Sequence, residues 1–324
     1  MAKKKEEVST YLSASYILER ETLVIPVSPA LDINLGGGIP EGSVVVISGP
    51  EKLGKTSLAL KIMANAQKLG RIGVYIDIEH RLKSMNLTGI KGLDLSEDKF
   101  KLVRSSEGSL LCAEQSLEIA EAALSDFPGC VLIIDSLSSL YSKAQVDNEL
   151  GKGFSVQARK VETDFFKRIP ASLSINHNIV IAMAHIRQNM GKHGGTYESM
   201  AAYTQYAQDV KLKVGRPGFN SGIDFEWNSG TKRIGHRVQW TVANSALSAP
   251  GGKCIGYLRY GIGIDDIAEM LELASELNVI QKSGSWMNFP SGEKAQGFDK
   301  AYNYLAEHPE EYVSIEKSVR ELLS

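Results

Sequence analysis

Cysteine is scarce in this sequence: Cys112, Cys130 and Cys254 are the only three in 324 residues. They lie far apart, with neither a CxxC pair nor metal-ligand spacing, so a disulfide framework and a cysteine zinc site are excluded and reduced thiols of a cytosolic protein are expected. Net charge is nearly absent too, at −2 from 36 basic and 38 acidic residues. That excludes a chain drawn to nucleic acid by its overall field and leaves only a local basic groove for such contact. Long apolar runs are missing. The opening MAKKKEEVST is basic, but no apolar stretch follows it, so neither a signal peptide nor a membrane span is expected and Lys3 to Lys5 read as a solvated tail. No internal repeat and no low-complexity tract interrupts the chain.

What is present is ordinary for a folded protein: 43% hydrophobic and 23% charged residues, in a length that suits one large domain carrying a smaller one. From Ile25 onward, short β-branched runs (SVVVIS, IGVYIDIE, CVLIIDS) alternate with helical patterns (Ser57 to Leu69, and SLLCAEQSLEIAEAALSDF). Strands that read as near-continuous apolar runs are buried on both faces, which predicts an α/β fold with a mainly parallel sheet covered by helices. DVKLKVGR and HRVQWTVA, separated by the Gly/Asn/Ser-rich GFNSGIDFEWNSGTK, predict an antiparallel hairpin with a long loop at the sheet's side. Beyond Gly263 the pattern turns to amphipathic helix around one aromatic hairpin, and a small C-terminal α+β domain is expected.

The stretch GPEKLGKTS, Gly49 to Ser57, satisfies the phosphate-loop pattern G-x-x-x-x-G-K-[ST] between a strand and a helix. Gly49 and Gly54 let backbone N–H groups turn toward phosphate oxygens, Lys55 reaches the β- and γ-phosphates, and Thr56 offers a hydroxyl to Mg²⁺. Such a loop needs a carboxylate at the end of a neighbouring strand, and VLIIDSLSSL supplies Asp135. In VYIDIEH, period-two alternation predicts that Asp77 and Glu79 share a face. One of them orients an attacking water, or the pair are turn acids capping a helix.

The order GPEKLGKTS, YIDIEH, LIIDSLSSL and VIAMAHIRQ resembles the RecA family of DNA strand-exchange recombinases, from about Tyr11 to the C-terminus, and GSWMNFPSGEKAQGFDKAYNYLAEHPE resembles the bacterial C-terminal domain. The front, STYLSASYILERETLVIPVSPALDINLGGGIPEGS, looks like UvsX-type phage recombinases and eukaryotic strand-exchange proteins, whose aromatic-x-x-Ala segment docks on the next protomer. The resemblance implies an N-terminal docking arm over 1–24, a RecA-type P-loop ATPase core over 25–262 with two DNA-binding loops, and a C-terminal α+β domain over 263–324. It implies ATP and Mg²⁺ bound between protomers of a helical filament, with single-stranded and duplex DNA as partners. Single-strand-binding and mediator proteins could join them, in a cytoplasm or, for a phage protein, the host's cytoplasm or nucleoid.

On that resemblance, Tyr11 and Ala14 dock the protomers, Glu79 orients the water, and Asp135 sits by Mg²⁺ with Thr56. The phosphates lie along Gly49, Pro50, Glu51, Lys52, Leu53, Gly54, Lys55, Thr56 and Ser57. His185 stands where the family places a polar sensor of the γ-phosphate. The DNA loops fall at about 146–157 and 187–200, with Lys152, Arg159, Arg187, Lys192 and His193 meeting phosphates.

The sequence departs from the pattern in several places. Bacterial relatives place two lysines on a segment that crosses to the neighbour's nucleotide, and TVANSALSAP has Ala243 and Ser245 there. A trans-acting cation is worth about 10³ to 10⁵ in rate, so either a nearby cation substitutes (Lys232, Arg233, Arg237 or Lys253) or hydrolysis is slow. In the second loop SMAAYTQYA replaces the family's Gly-Gly start and its usual Phe, Asn86 stands where the family stacks a tyrosine on adenine, and RELLS lacks a long acidic tail. Three readings follow: an ATP-dependent recombinase, a nucleotide-gated DNA-binding scaffold with little hydrolysis, and a hexameric motor, which leaves the docking segment and the C-terminal domain unexplained.

Overall fold

The structure is a computed structural model that describes residues 21–107, 110–147, 155–188, 195–218 and 221–323. Val44–Gly49, Gly73–Asp77 and Val131–Asp135 are apolar strands, buried along almost their whole length. Their pleat divides the side chains between two layers. Val45, Ile47, Tyr75, Val131 and Ile133 pack with Leu58, Ile62 and Met63 of the helix Lys55–Lys68, while Val44, Val46, Val74, Leu132 and Ile134 pack with Leu117, Phe165 and Phe166 of the helices Ala113–Asp126 and Ser155–Asn176. Both faces are therefore covered, as the continuous apolar runs require.

The parallel part of the sheet runs in the order Val210–Gly215, Val44–Gly49, Ile179–Gln188, Val131–Asp135, Gly73–Asp77, Phe100–Val103. The predicted hairpin is present: Lys232–Asn244 lies antiparallel to Val210–Gly215, and the loop between them carries a short strand, Glu226–Ser229, that folds back onto Lys232–Asn244. Lys253–Arg259 extends the sheet further. One expected boundary shifts. Gly263 and Ile264 pair with Arg259 and Leu258, so the core sheet reaches Ile264. The C-terminal unit starts at Asp265, which caps the helix Asp266–Glu276 by accepting a hydrogen bond from Ala268 N. That unit packs a small antiparallel sheet (Gln281–Ser283, Trp286–Asn288, Lys294–Gln296) and the helices Phe298–Glu307 and Pro309–Leu323 around Met270, Leu271, Met287, Leu305 and Ile315.

Acids are buried where this unit meets the core. Asp32, on the helix Pro29–Leu35, and Glu269 are 3% and 2% exposed. Asp32 Oδ1 accepts from Val27 N at 2.6 Å, and Arg320 lies 3.6 Å from Oδ2. Glu269 Oε2 accepts from Ala30 N at 3.4 Å, while Oε1 has no hydrogen-bond partner among the described residues. Burial pushes Asp32 from 3.8 up to about 7 and Glu269 from 4.5 up to about 8, and the charge of Asp266, itself 2.6 Å from Lys61, adds to both. Folded values above the unfolded ones mean that the protonated acids favour folding. Their contribution is complete below about pH 4 and is lost as the pH rises through 7 to 8. Thermal unfolding is expected to show a melting temperature that falls over that window. Glu269→Gln should flatten the fall and be the more stable form near pH 8.5 by roughly a few kcal/mol. Parallel profiles for parent and variant would show that Glu269 does not carry the effect.

Candidate nucleotide site and nucleic-acid loops

The register of the parallel strands assembles the site. Gly49 lies opposite His185, and Asp77 opposite Asp135, so the functional positions emerge at the carboxyl ends of the strands, where α/β sheets bind ligands. Gly49 is required by a close approach: a Cβ there would stand 2.5 Å from Val214 O of the adjacent strand. Gly54, at φ 90°, is the N-cap of Lys55–Lys68 and opens that helix's unpaired N–H groups onto the loop, an arrangement suited to anions. Leu53, 5% exposed, anchors the loop in the core.

Lys55 Nζ donates to Gly49 O at 2.9 Å and to Pro50 O at 2.8 Å, its side chain sunk beneath the loop. Burial pulls its ammonium below the usual lysine range, against the opposing charges of Asp135, Glu79 and Glu51. Thr56 Oγ1 donates to Asp135 Oδ2 at 3.2 Å, and Tyr75 donates to the same oxygen at 2.5 Å. Burial pushes Asp135 upward, and a cation beside it would favour the charged carboxylate. A hydroxyl and a carboxylate are hard donors that fit Mg²⁺. Among the described residues no group of three or more His, Cys, Asp or Glu could hold a metal unaided, so the remaining ligands would be phosphate oxygens and water.

Glu79 Oε1 accepts from Ser136 Oγ at 2.5 Å and Ser139 Oγ at 3.0 Å, and meets His185 Nε2 at 2.6 Å. The His185 contact, helped by Ser136 and against burial, holds Glu79 down at about 2. It is therefore an anion throughout the neutral range. The expected pairing of Asp77 and Glu79 on one face does not occur. The strand ends at Asp77, and Ile78 N and Glu79 N both donate to Asp135 O, which breaks the alternation. Asp77 is buried toward Arg104, 3.7 Å away, whereas Glu79 lines the cleft.

The cleft, about 760 Å³, gathers Glu51, Lys52, Lys55, Thr56, Ser57, Glu79, Asp135 and His185. Asn86 lines it as well, its Oδ1 accepting from Lys83 N at 3.0 Å, so no aromatic ring stands at that position. Sequence reasoning missed four contributors, Ser136, Ser139, Tyr75 and Arg81. The serines of DSLSSL could have been suspected from their clustering just after the strand, Tyr75 is hidden inside an apolar run, and Arg81 reaches the cleft only through a turn that residue spacing does not announce.

Of the expected DNA contacts, Lys152, Lys192 and His193 lie outside the described residues, as do Tyr11 and Ala14 of the docking arm. Arg187 is exposed at the end of Ile179–Gln188, opposite Tyr197. Arg159 is held inward and is not a free surface cation: Nη1 pairs with Glu162 at 2.7 Å and Nη2 donates to Ser199 Oγ at 2.9 Å. Fully buried Glu162 also accepts from Ala201 N and Thr204 Oγ1, each at 2.7 Å, so Arg159 and Glu162 tie down the exit of the second loop. Ala243 falls at a bulge of Lys232–Asn244, and Ser245 Oγ organises the turn after it, accepting from Leu247 N and Ser248 N. Among the suggested substitutes, Arg233 is paired with Glu226 at 2.9 Å and Arg237 donates to Asp224 O and Glu226 O, while Lys253 is exposed.

Residues 15–265 match the RecA N-terminal domain and residues 268–324 the RecA C-terminal domain. Protein RecA of Aquifex pyrophilus is 32% identical over 314 residues, 96% of this chain and 86% of the relative. Protein RecA of Streptococcus pneumoniae (strain Hungary19A-6) is 30% identical over 296 residues, 90% of this chain and 74% of the relative. With both domains matched in order around a phosphate loop, a strand-end acid and a His185–Glu79 contact, the chain belongs to the RecA family.

Proposed function

We propose that this chain is an ATP-dependent homologous recombinase, which assembles as a helical filament on single-stranded DNA and pairs that strand with homologous duplex. The observation that carries the reading is a hydrogen-bonded path from the cleft to the second loop. His185 touches Glu79 through its ring, His185 O accepts from Ser199 N at 2.9 Å, and Ser138 Oγ accepts from His185 N at 2.8 Å while donating to Ser199 O at 3.0 Å. Glu198, at the same loop exit, accepts from Ser48 Oγ at 2.8 Å, next to the first residue of the phosphate loop. A change of loop position on DNA would thus be felt at both the water-orienting acid and the phosphate loop.

In this mechanism Lys55 and the start of its helix hold the phosphates, and Thr56 and Asp135 hold Mg²⁺. Bound Mg²⁺ supplies neutralising charge to the phosphate oxygens. Glu79, at about 2, is too weak a base to take a proton at neutral pH, so its work is to orient the attacking water through a fixed negative charge. Arg187 is proposed to meet DNA phosphates, joined by Lys152, Lys192 and His193, with Arg159 setting the loop's root. Tyr11 and Ala14 are proposed to dock protomers, and their segment alone supports a phage-type assignment. Among the described residues no helix is long and apolar enough to cross a membrane. A cytoplasmic setting, with single-strand-binding and mediator proteins as further partners, belongs to the same proposal.

A second reading, a nucleotide-gated scaffold with little turnover, is favoured by Ala243 and Ser245 in place of trans cations. Measuring ATP hydrolysis with and without single-stranded DNA, at several salt concentrations, separates the two. Strong stimulation that weakens with salt is expected for the recombinase. ATP-dependent DNA binding without turnover would favour the scaffold.

A further inference from the structure

Beyond the strand Gly73–Asp77 the chain reverses. His80 takes a left-handed φ of 55°, and Arg81 N donates to Asp77 Oδ1 at 3.3 Å. The turn carries Arg81 back over the mouth of the cleft, with Nη1 3.5 Å from Glu51 Oε1 and 3.6 Å from Glu79 Oε2. Those separations are too long for directed hydrogen bonds, and the side chain is 68% exposed, so charge alone holds the guanidinium there. Lys55, in contrast, is already engaged by Gly49 O and Pro50 O beneath the loop. Arg81, which lines the same cleft, makes no side-chain hydrogen bond of ordinary length among the described residues, only the two long ion pairs to Glu51 and Glu79.

A guanidinium resting between two carboxylates is poised for a stronger partner. A terminal phosphate presents more charge in one place than either acid and accepts the planar fork bidentately. We propose that Arg81 senses the terminal phosphate from within the same chain. It rests on Glu51 and Glu79 in the free protein and transfers to that phosphate when ATP binds, which releases Glu79 Oε2 to face the attacking water. This supplies, in cis, positive charge of the kind that Ala243 and Ser245 cannot. The inference rests on the nucleotide reading of the cleft and adds a residue that distinguishes ATP from ADP.

The test is equilibrium binding, without DNA, of Mg²⁺-ATPγS and of Mg²⁺-ADP to the full chain, to Arg81→Ala and to Arg81→Lys. Arg81→Ala should weaken ATPγS by about tenfold or more and ADP by less than about threefold. Arg81→Lys should recover part of the loss, because the charge remains and the fork does not. Equal weakening of both nucleotides would mean that Arg81 merely screens the acids, and no weakening would mean that it does not reach the ligand. Either result overturns the proposal while leaving the nucleotide site standing. Failure of the unaltered chain to bind either nucleotide would overturn the nucleotide reading and this proposal with it. The exposed position makes misfolding a minor concern, and an unchanged melting temperature would verify that.

Discussion

Lys55→Ala is expected to weaken ATP binding by roughly a hundredfold and to abolish ATP-dependent filaments on single-stranded DNA. Two effects add in the same direction. The ammonium proposed to meet the phosphates is removed, and the acids that act on Lys55 in the folded chain, Asp135, Glu79 and Glu51, remain. An anionic ligand would then meet those acids without the ammonium that offsets them beneath the loop. The substitution also strips Gly49 O and Pro50 O of the donor they share, so the loop itself should loosen. Lys55→Arg retains the charge, yet a planar guanidinium does not fit where a single Nζ lies 2.9 and 2.8 Å from two carbonyls, so it should rescue little. Nucleotide titration and filament lengths by electron microscopy check both outcomes. Filaments of normal length from Lys55→Ala would remove nucleotide control from the mechanism.

Glu79→Gln separates chemistry from binding. The amide keeps the volume and can still accept from Ser136 or Ser139, but it lacks the charge that sits 2.6 Å from His185. The hydrolysis rate should fall about 10² to 10⁴-fold. ATP affinity should hold or improve, because one negative charge leaves the cleft. Filaments would then persist on DNA in the presence of ATP. Since His185 and the serines hold Glu79 near 2, its ionisation contributes no slope to the rate between about pH 5 and 8, and its share of activity is lost only as the pH falls through 2. Steady-state rates with a parallel binding measurement decide this. A rate within about threefold of the parent would show that another group orients the water.

The parts that could be read from residue order were those whose physics is local. Apolar runs flanked by amphipathic segments announced the parallel strands and their covering helices, and the spacing of Gly49, Gly54, Lys55 and Thr56 announced the loop. The parts that could not be read depend on what a second segment does. Asp77 and Glu79 should share a face by alternation, but Asp135 O captures two successive N–H groups and turns the chain after the strand. Arg159 reads as a loop cation until Glu162, invisible as a buried acid in sequence, claims it. Gly263 reads as a domain boundary until Arg259 pairs with it.

Residue order alone therefore determined the fold class, the phosphate-loop pattern between a strand and a helix, and the place of Asp135 at a strand end, because backbone freedom at glycine and burial of apolar runs act over a few residues. Tertiary structure decided which acids work together. Glu79 and His185 are 106 residues apart in the chain and meet at 2.6 Å only because the turn after Gly73–Asp77 lies across the end of Val131–Asp135, the strand that separates theirs. It also decided that Arg81 overhangs the cleft and that Asp32 and Glu269 share a buried seam, since burial and charge at such points are set by neighbours that no local pattern encodes.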